Sequence, residues 1–302
     1  MMKDHSMSNI TRRQFLTTAS LATGTVVFGH HLATAQAPVA VAPARVKAGS
    51  DIVTLGKTGI KTSVLGLGTG TNSGKEQRDL GKHGFVRLVR EAYDRGIRYI
   101  DTADMYQIHD MVAAALKELP RRDVFVQTKT SAGNAEQAKA VIERFRRELD
   151  VETLDSVLIH CMTRPQWSAE RRAVIDALVE AKEKGRVRAI GVSCHSFEAL
   201  TDAVANEQME IHLVRINPFK ASMDDEVDRV SAEIAKMHAK NRGVLGMKIY
   251  GGWGYGPQNR QRRLDSIKYV LGLGTVHAFT IGFSSVEQID ETLELIKEAS
   301  EA

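Results

Sequence analysis

Between residues 64 and 299 the chain switches eight times between a short apolar run of strand length and a longer segment with apolar residues three and four apart. The runs fall at 64–67, 98–101, 124–129, 155–160, 188–193, 211–216, 244–249 and 277–282. The helical segments fall at 84–95, 108–119, 134–149, 168–184, 196–206, 224–241, 260–271 and 285–299. In 134–149, for example, Ala138, Val141, Ile142 and Phe145 recur at helical spacing with Arg and Glu between them. The runs are apolar on both faces, as in Val157-Leu158-Ile159 and Ala189-Ile190-Gly191-Val192, which suits a parallel sheet covered by helices. Eight strands, each followed by a helix, is the count of a closed (β/α)8 TIM barrel. A doubly wound open sheet is the alternative. It normally carries Gly-x-Gly-x-x-Gly after its first strand, and Gly66-Leu67-Gly68-Thr69-Gly70 fails that spacing. Ahead of the alternation, 52–55, a Gly-bearing turn at 56–59 and 60–64 read as a β-hairpin, expected to plug the barrel bottom.

Composition narrows the function classes. The 302 residues are 43% hydrophobic and 26% charged, enough to bury a large core. Net charge is +4, and Lys3, Arg12 and Arg13 against Asp4 place half of it in the first 37 residues. The basic pairs Arg121-Arg122, Arg146-Arg147, Arg171-Arg172 and Arg262-Arg263 are scattered and read as solvated faces, so nucleic acid is not an expected partner. Cys161 and Cys194 form neither a disulfide framework nor a Cys-x-x-Cys motif. No apolar run reaches the roughly 18 residues of a spanning helix, so no stable membrane anchor is expected.

Residues 1–37 have the anatomy of an export signal: Thr11-Arg12-Arg13-Gln14-Phe15-Leu16, a mildly apolar centre at 21–28, and an Ala-x-Ala end at 33–37. The Arg pair followed by Phe-Leu resembles a twin-arginine (Tat) signal, implying the Tat export machinery as a partner and a periplasmic or secreted destination. Cleavage is expected after Ala35 or Ala37; residues 38–50 read as a linker, and 51–302 as the barrel.

In a barrel of this kind chemistry sits at the carboxyl ends of the strands. Asp101 ends the second strand and Tyr106 follows on a loop; Lys129 ends the third strand and His160 the fourth. Neighbouring strands lie about 4.8 Å apart, so these ends can share one pocket. Reducing a carbonyl needs a hydride on carbon and a proton on oxygen. A free phenol is a poor acid at neutral pH, and a nearby ammonium is expected to lower its pKa. Lys129 suits that part, Asp101 can hold Lys129, and His160 can hydrogen-bond the carbonyl oxygen. No His-x-His or carboxylate cluster with ligand spacing stands at the strand ends, which disfavours a metal hydrolase.

Asp101, Tyr106, Lys129 and His160, in this order and strand context, resemble the catalytic tetrad of the aldo-keto reductases. The resemblance runs over 51–302 and takes in Leu55-Gly56-Lys57-Thr58-Gly59, Asp101-Thr102-Ala103, Gly191-Val192-Ser193 and Ile281-Gly282-Phe283-Ser284-Ser285. It implies NADP or NAD as cofactor and a small carbonyl or alcohol as substrate. It also implies cofactor contacts from Ser193, Cys194, Arg215, Met247, Lys248, Gly251, Gly282, Ser284, Ser285 and Gln288. Gly251 opens a glycine-rich loop and Ser284-Ser285 open the last helix, both suited to phosphate.

Several of these positions differ from the family pattern. Cys194 stands where the family usually has Asn, Arg215 replaces a usual amide, Met247 a stacking aromatic, Cys161 an aromatic wall, and Gln288 a basic residue that often grips a 2′-phosphate. Cys161 and Cys194 are expected near the pocket, as reduced thiols or as a pair. The expected protein is a monomeric NAD(P)-dependent oxidoreductase with Tyr106 as general acid–base. The alternative is a cofactor-sensing partner subunit on the same barrel with little turnover.

Overall fold

The computed structural model describes residues 46–252 and 254–301. The expected leader and the first part of the expected linker lie outside the described residues. Residues 46–50, at the linker's end, lie against the barrel: the amides of Lys47 and Ala48 donate to Asp51 Oδ2, at 2.7 and 3.0 Å.

Among the described residues ten strands and ten α-helices follow in order. Strands β1 (Ile52–Thr54) and β2 (Lys61–Ser63) form the antiparallel hairpin. The barrel strands are β3 (Leu65–Gly68), β4 (Tyr99–Asp101), β5 (Phe125–Thr130), β6 (Leu154–Met162), β7 (Val187–Cys194), β8 (Ile211–Arg215), β9 (Gly243–Met247) and β10 (Ala278–Gly282). Consecutive strands pair in parallel, and β10 returns to β3 with Phe279 beside Leu65, closing the ring. Between and after them run α1 (Lys75–Asp79), α2 (Gly81–Asp94), α3 (His109–Leu116), α4 (Ala135–Glu148), α5 (Trp167–Glu170), α6 (Arg172–Glu183), α7 (Phe197–Ala205), α8 (Val227–Ala239), α9 (Arg260–Gly272) and α10 (Val286–Glu301).

The eight-fold count and the hairpin are as the sequence predicts. Three details differ. The predicted helix 168–184 is broken at Arg171, which leaves helical geometry at φ −100°, ψ 14°. The predicted strand 244–249 stops at Met247, because Lys248 turns left-handed at φ 57°. Helix α1, Lys-Glu-Gln-Arg-Asp, has no apolar period and so gave no signal.

Two apolar layers hold the barrel. Inside, Leu55 and Ile60 from the hairpin meet Tyr99, Phe125, Leu158 and Leu245, so the hairpin does stop the bottom. Outside, the longer helices each lay one stripe on the strands. In α4 the stripe is Ala138, Ile142 and Phe145, all essentially fully buried, and each of the two larger side chains contributes about 1.5–3 kcal/mol of burial. Asn134 starts α4 by accepting from the Gln137 amide at 2.9 Å.

Polar groups near the bottom make the fold acid-sensitive. His212 on β8 is buried; burial, then the Arg242 guanidinium, push its pKa down to about 3. His277 is pushed down to about 4, by burial first and then His238. The unfolded value is near 6.5, so the stabilisation from a neutral His212 is complete above that pH and is lost as pH falls toward about 3. At pH 5 that one group should already cost about 2 kcal/mol. Urea unfolding midpoints at pH 7.5 and pH 5 check this: the midpoint should drop clearly at pH 5, and an unchanged midpoint refutes a neutral His212.

Candidate active site

The four strand-end residues converge on the carboxyl end of the barrel. Asp101 closes β4 and Lys129 lies one residue from the end of β5; both are buried, 4% and 1% exposed. Lys129 Nζ lies 2.7 Å from Asp101 Oδ1 and 2.9 Å from Oδ2, and donates to the Thr102 carbonyl at 2.8 Å. Burial works against the Lys129 charge, but Asp101 and then Tyr106 hold its pKa above the ordinary value. An ammonium held this way remains charged in a dry site.

Tyr106 ends a single 3-10 turn, Asp104–Tyr106, which Gln107 closes in the left-handed region at φ 53°. Lys129 Nζ is 4.9 Å from the centre of the phenol ring. The His160 ring meets it edge-on, centroids 5.8 Å apart at 84°. A Cβ on Gly70 would stand 2.7 Å from both Cζ and the hydroxyl of Tyr106, so only glycine leaves the ring its place there.

The phenol's titration differs from expectation. Lys129 does pull its pKa down, but burial pushes it up more strongly, so the net shift is upward. Tyr106 therefore keeps its proton through neutral pH, which suits a proton donor. His160 is pushed down to about 3 by burial, then by Lys129 and His195. It is neutral, with a ring N–H to offer an oxygen and no repulsion added to Lys129.

The expected cofactor residues occupy different situations. Ser193 is buried on β7 and its Oγ accepts from the Cys161 amide at 2.9 Å, holding the bulged end of β6 beside His160. Cys194, the next residue, is buried in the outer layer, and its thiol donates to the Ala199 carbonyl at 3.4 Å. Cys161 is exposed; both cysteines are free thiols. Arg215 ends β8 and is paired with Asp224, Nε to Oδ1 at 2.8 Å. Met247 ends β9 and packs on the inner core, and Lys248 beside it is exposed.

On the phosphate side, Gly251 takes φ 58°, and a Cβ on Gly252 or Gly254 would meet nothing, leaving open space along that loop. At Gly282 a Cβ would stand 2.0 Å from Thr71 Oγ1, so any other residue there requires that hydroxyl to move. Gln288 is turned back onto its own helix start: its Oε1 accepts from the Ser284 amide at 2.8 Å and from the Ser284 hydroxyl at 3.2 Å. Ser285 Oγ in turn accepts from the Gln288 amide at 3.5 Å. The exposed Lys248, the open glycine loop and the start of α10 fit a dinucleotide phosphate chain, whereas Gln288 brings no positive charge to a 2′-phosphate. Among the described residues no group of three or more His, Cys, Asp or Glu could hold a metal ion.

Sequence reasoning missed Gln127. Its Nε2 donates to Asp101 Oδ1 at 2.8 Å and to the Tyr99 hydroxyl at 2.9 Å, fixing the carboxylate from below. A signal existed: Gln127 and Lys129 are two apart on one strand and so share a face.

Comparisons with known proteins give the family and the fold. The profile of the "Aldo/keto reductase family" matches residues 64–253. Aldo-keto reductase YhdN of Bacillus subtilis is 29% identical over 191 residues, 59% of this chain and 57% of that protein. An NADH-specific methylglyoxal reductase of Escherichia coli is 26% identical over 200 residues, 58% of this chain and 61% of that protein. The chain thus spans about three fifths of the length of these relatives. A crystal structure of a Pseudomonas aeruginosa protein assigned to the aldo-keto reductases superposes with a TM-score of 0.71 at 21% identity, over 84% of this chain and 98% of that one, and so supports the fold. A profile match over more than half the sequence settles the lineage: the chain belongs to the aldo/keto reductase family, whose enzymes are NAD(P)-dependent oxidoreductases.

Proposed function

We propose that this protein transfers a hydride between a nicotinamide dinucleotide and an aldehyde or ketone, or the corresponding alcohol, with Tyr106 as acid–base. The observation that carries the reading is the buried Asp101–Lys129 pair beneath a phenol that a neutral imidazole meets edge-on. The bound dinucleotide supplies or accepts the hydride. Lys129 stabilises negative charge on the phenol oxygen as its proton leaves. His160 donates a hydrogen bond to the carbonyl oxygen and sets its direction, and Tyr106 delivers the proton to that oxygen. Ser193 maintains the strand end that carries His160.

Lys248, Gly251, Gly282, Ser284 and Ser285 are the residues proposed to hold the dinucleotide. With Gln288 turned inward, NAD should bind at least as tightly as NADP. Fluorescence titration with each dinucleotide, followed by a carbonyl panel with the better one, tests the reading. Saturable binding with turnover supports it; no binding of either, or binding with no turnover on any carbonyl, overturns it. A strong preference for NADP would refute the role given to Gln288.

The reading extends to location. The Arg12-Arg13 leader supports twin-arginine export of a folded monomer, and that route carries a dinucleotide out already bound. Purification from the native compartment checks it. Protein confined to the cytoplasm, or exported protein without nucleotide, would sink this part.

A further inference from the structure

We propose that Arg78 and Arg144 brace the turn Asp104–Tyr106 from opposite sides and so set the distance between the Tyr106 phenol and the Lys129 ammonium; both act as positioning residues. The inference rests on the acid–base reading of Tyr106.

On one side Arg144, from α4, takes the Asp104 carboxylate in two parallel bonds, Nη1 to Oδ1 at 2.9 Å and Nη2 to Oδ2 at 2.7 Å. Paired bonds of this kind fix direction as well as distance. The same Nη1 donates to Glu148 Oε1 at 2.8 Å. Glu148 Oε2 lies 2.8 Å from His109 Nδ1, and His109 Nε2 lies 2.9 Å from Thr128 Oγ1. Burial holds His109 below its ordinary pKa. A neutral ring facing a carboxylate at Nδ1 carries its proton there, so Nε2 accepts from the Thr128 hydroxyl. Thr128 directly precedes Lys129 on β5. The chain of bonds therefore leaves the turn that carries the phenol, passes outside the barrel, and returns to the strand that carries the ammonium.

On the other side Arg78, from α1, donates through Nη1 to the Tyr106 carbonyl, and to the Ser73 carbonyl at 2.9 Å. A Cβ on Gly74 would stand 2.6 Å from that Tyr106 carbonyl oxygen, so the Gly74 backbone approaches the turn closely.

Apolar packing leaves this work to the arginines. The flank of the turn toward α4 opens on a cavity of about 610 Å³ lined by Asp104, Met105, His109, Arg144 and Glu148 among others. Met105, in the middle of the turn, is 54% exposed. The Tyr106 ring packs against the core, but the Asp104–Met105 flank has little apolar contact and takes its geometry from directional bonds; a shift near 1 Å at a reacting group costs on the order of 100-fold in rate.

The test uses the full chain with Arg144→Met and Arg78→Met, which keep the apolar stems. Each should lower kcat by roughly 10- to 100-fold, with KM and dinucleotide Kd changed by less than about two-fold, because chemistry and not binding is disturbed. The alkaline limb of alcohol oxidation should also move to higher pH. The groups facing the phenol are Lys129 from β5, Asp101 and Tyr99 from β4, and His160 and Cys161 from β6. Of these the ammonium is the largest opposing pull against burial, and it weakens with distance. A merely structural loss would lower the active fraction and leave that limb in place. Arg144→Lys, which can reach one carboxylate but not hold two in plane, should recover part of kcat. Asp104→Asn leaves both arginines in place and should repeat the limb shift; it decides the matter should the arginine variants fail to fold. Unchanged kcat and an unmoved limb, with Tyr106→Phe inactive, would overturn the brace alone. Full turnover in Tyr106→Phe would overturn the acid–base reading, and the brace with it.

Discussion

Tyr106→Phe should lose about 10²–10⁴-fold in kcat while dinucleotide affinity and unfolding midpoint stay close to those of the parent. The ring stays where it is, because the Gly70 backbone and the His160 edge meet its carbon skeleton, and only the hydroxyl is removed. What disappears is the proton that must reach the carbonyl oxygen. The pH dependence follows from the direction of the shift. Burial sets the Tyr106 pKa above its ordinary value, so the proton is retained at neutrality. Carbonyl reduction should therefore be level through neutral pH and fall only on the alkaline side, whereas alcohol oxidation should rise there. In Tyr106→Phe both limbs should vanish. Steady-state rates in both directions across pH would show it, and a surviving limb would assign the titration to another group.

Lys129→Met should abolish turnover and destabilise the fold by about 3–5 kcal/mol, the largest stability effect expected of any single change at this site. Asp101 is 4% exposed and has Lys129 as its ion-pair partner. Without the ammonium its buried carboxylate retains the Gln127 amide as donor, 2.8 Å away, which leaves the charge uncompensated. Urea unfolding of both proteins at pH 7.5 compares the two. Equal midpoints at pH 7.5 would show that the pair contributes nothing net to the fold.

The barrel and most of the tetrad were legible because their signals are local. Eight apolar runs at regular intervals fix strand count, and Asp101, Lys129 and His160 stand at or near the ends of such runs, where strand order alone brings them together. Tyr106 was legible only through its spacing from Asp101, since the turn that aims it depends on Gly70 and two arginines. Those arginines gave no signal. Arg144 and Asp104 are 40 residues apart, and which rim of a helix meets which loop is decided by packing that spacing does not encode. Cys194 could have been placed better, because alternation sends it to the opposite side of β7 from Ser193, into the helix layer. The sign of the Tyr106 shift was misjudged for a related reason. A sequence shows which charge is near a group and not how much water the fold removes from it.

The seam between Leu65 on β3 and Phe279 on β10 has a consequence for synthesis. A ribosome must release nearly the whole polypeptide before those two partners can meet. Until then the nascent chain carries two unpaired sheet edges, a template for joining other chains. Stops placed before residue 278 should therefore give aggregates in place of smaller working barrels.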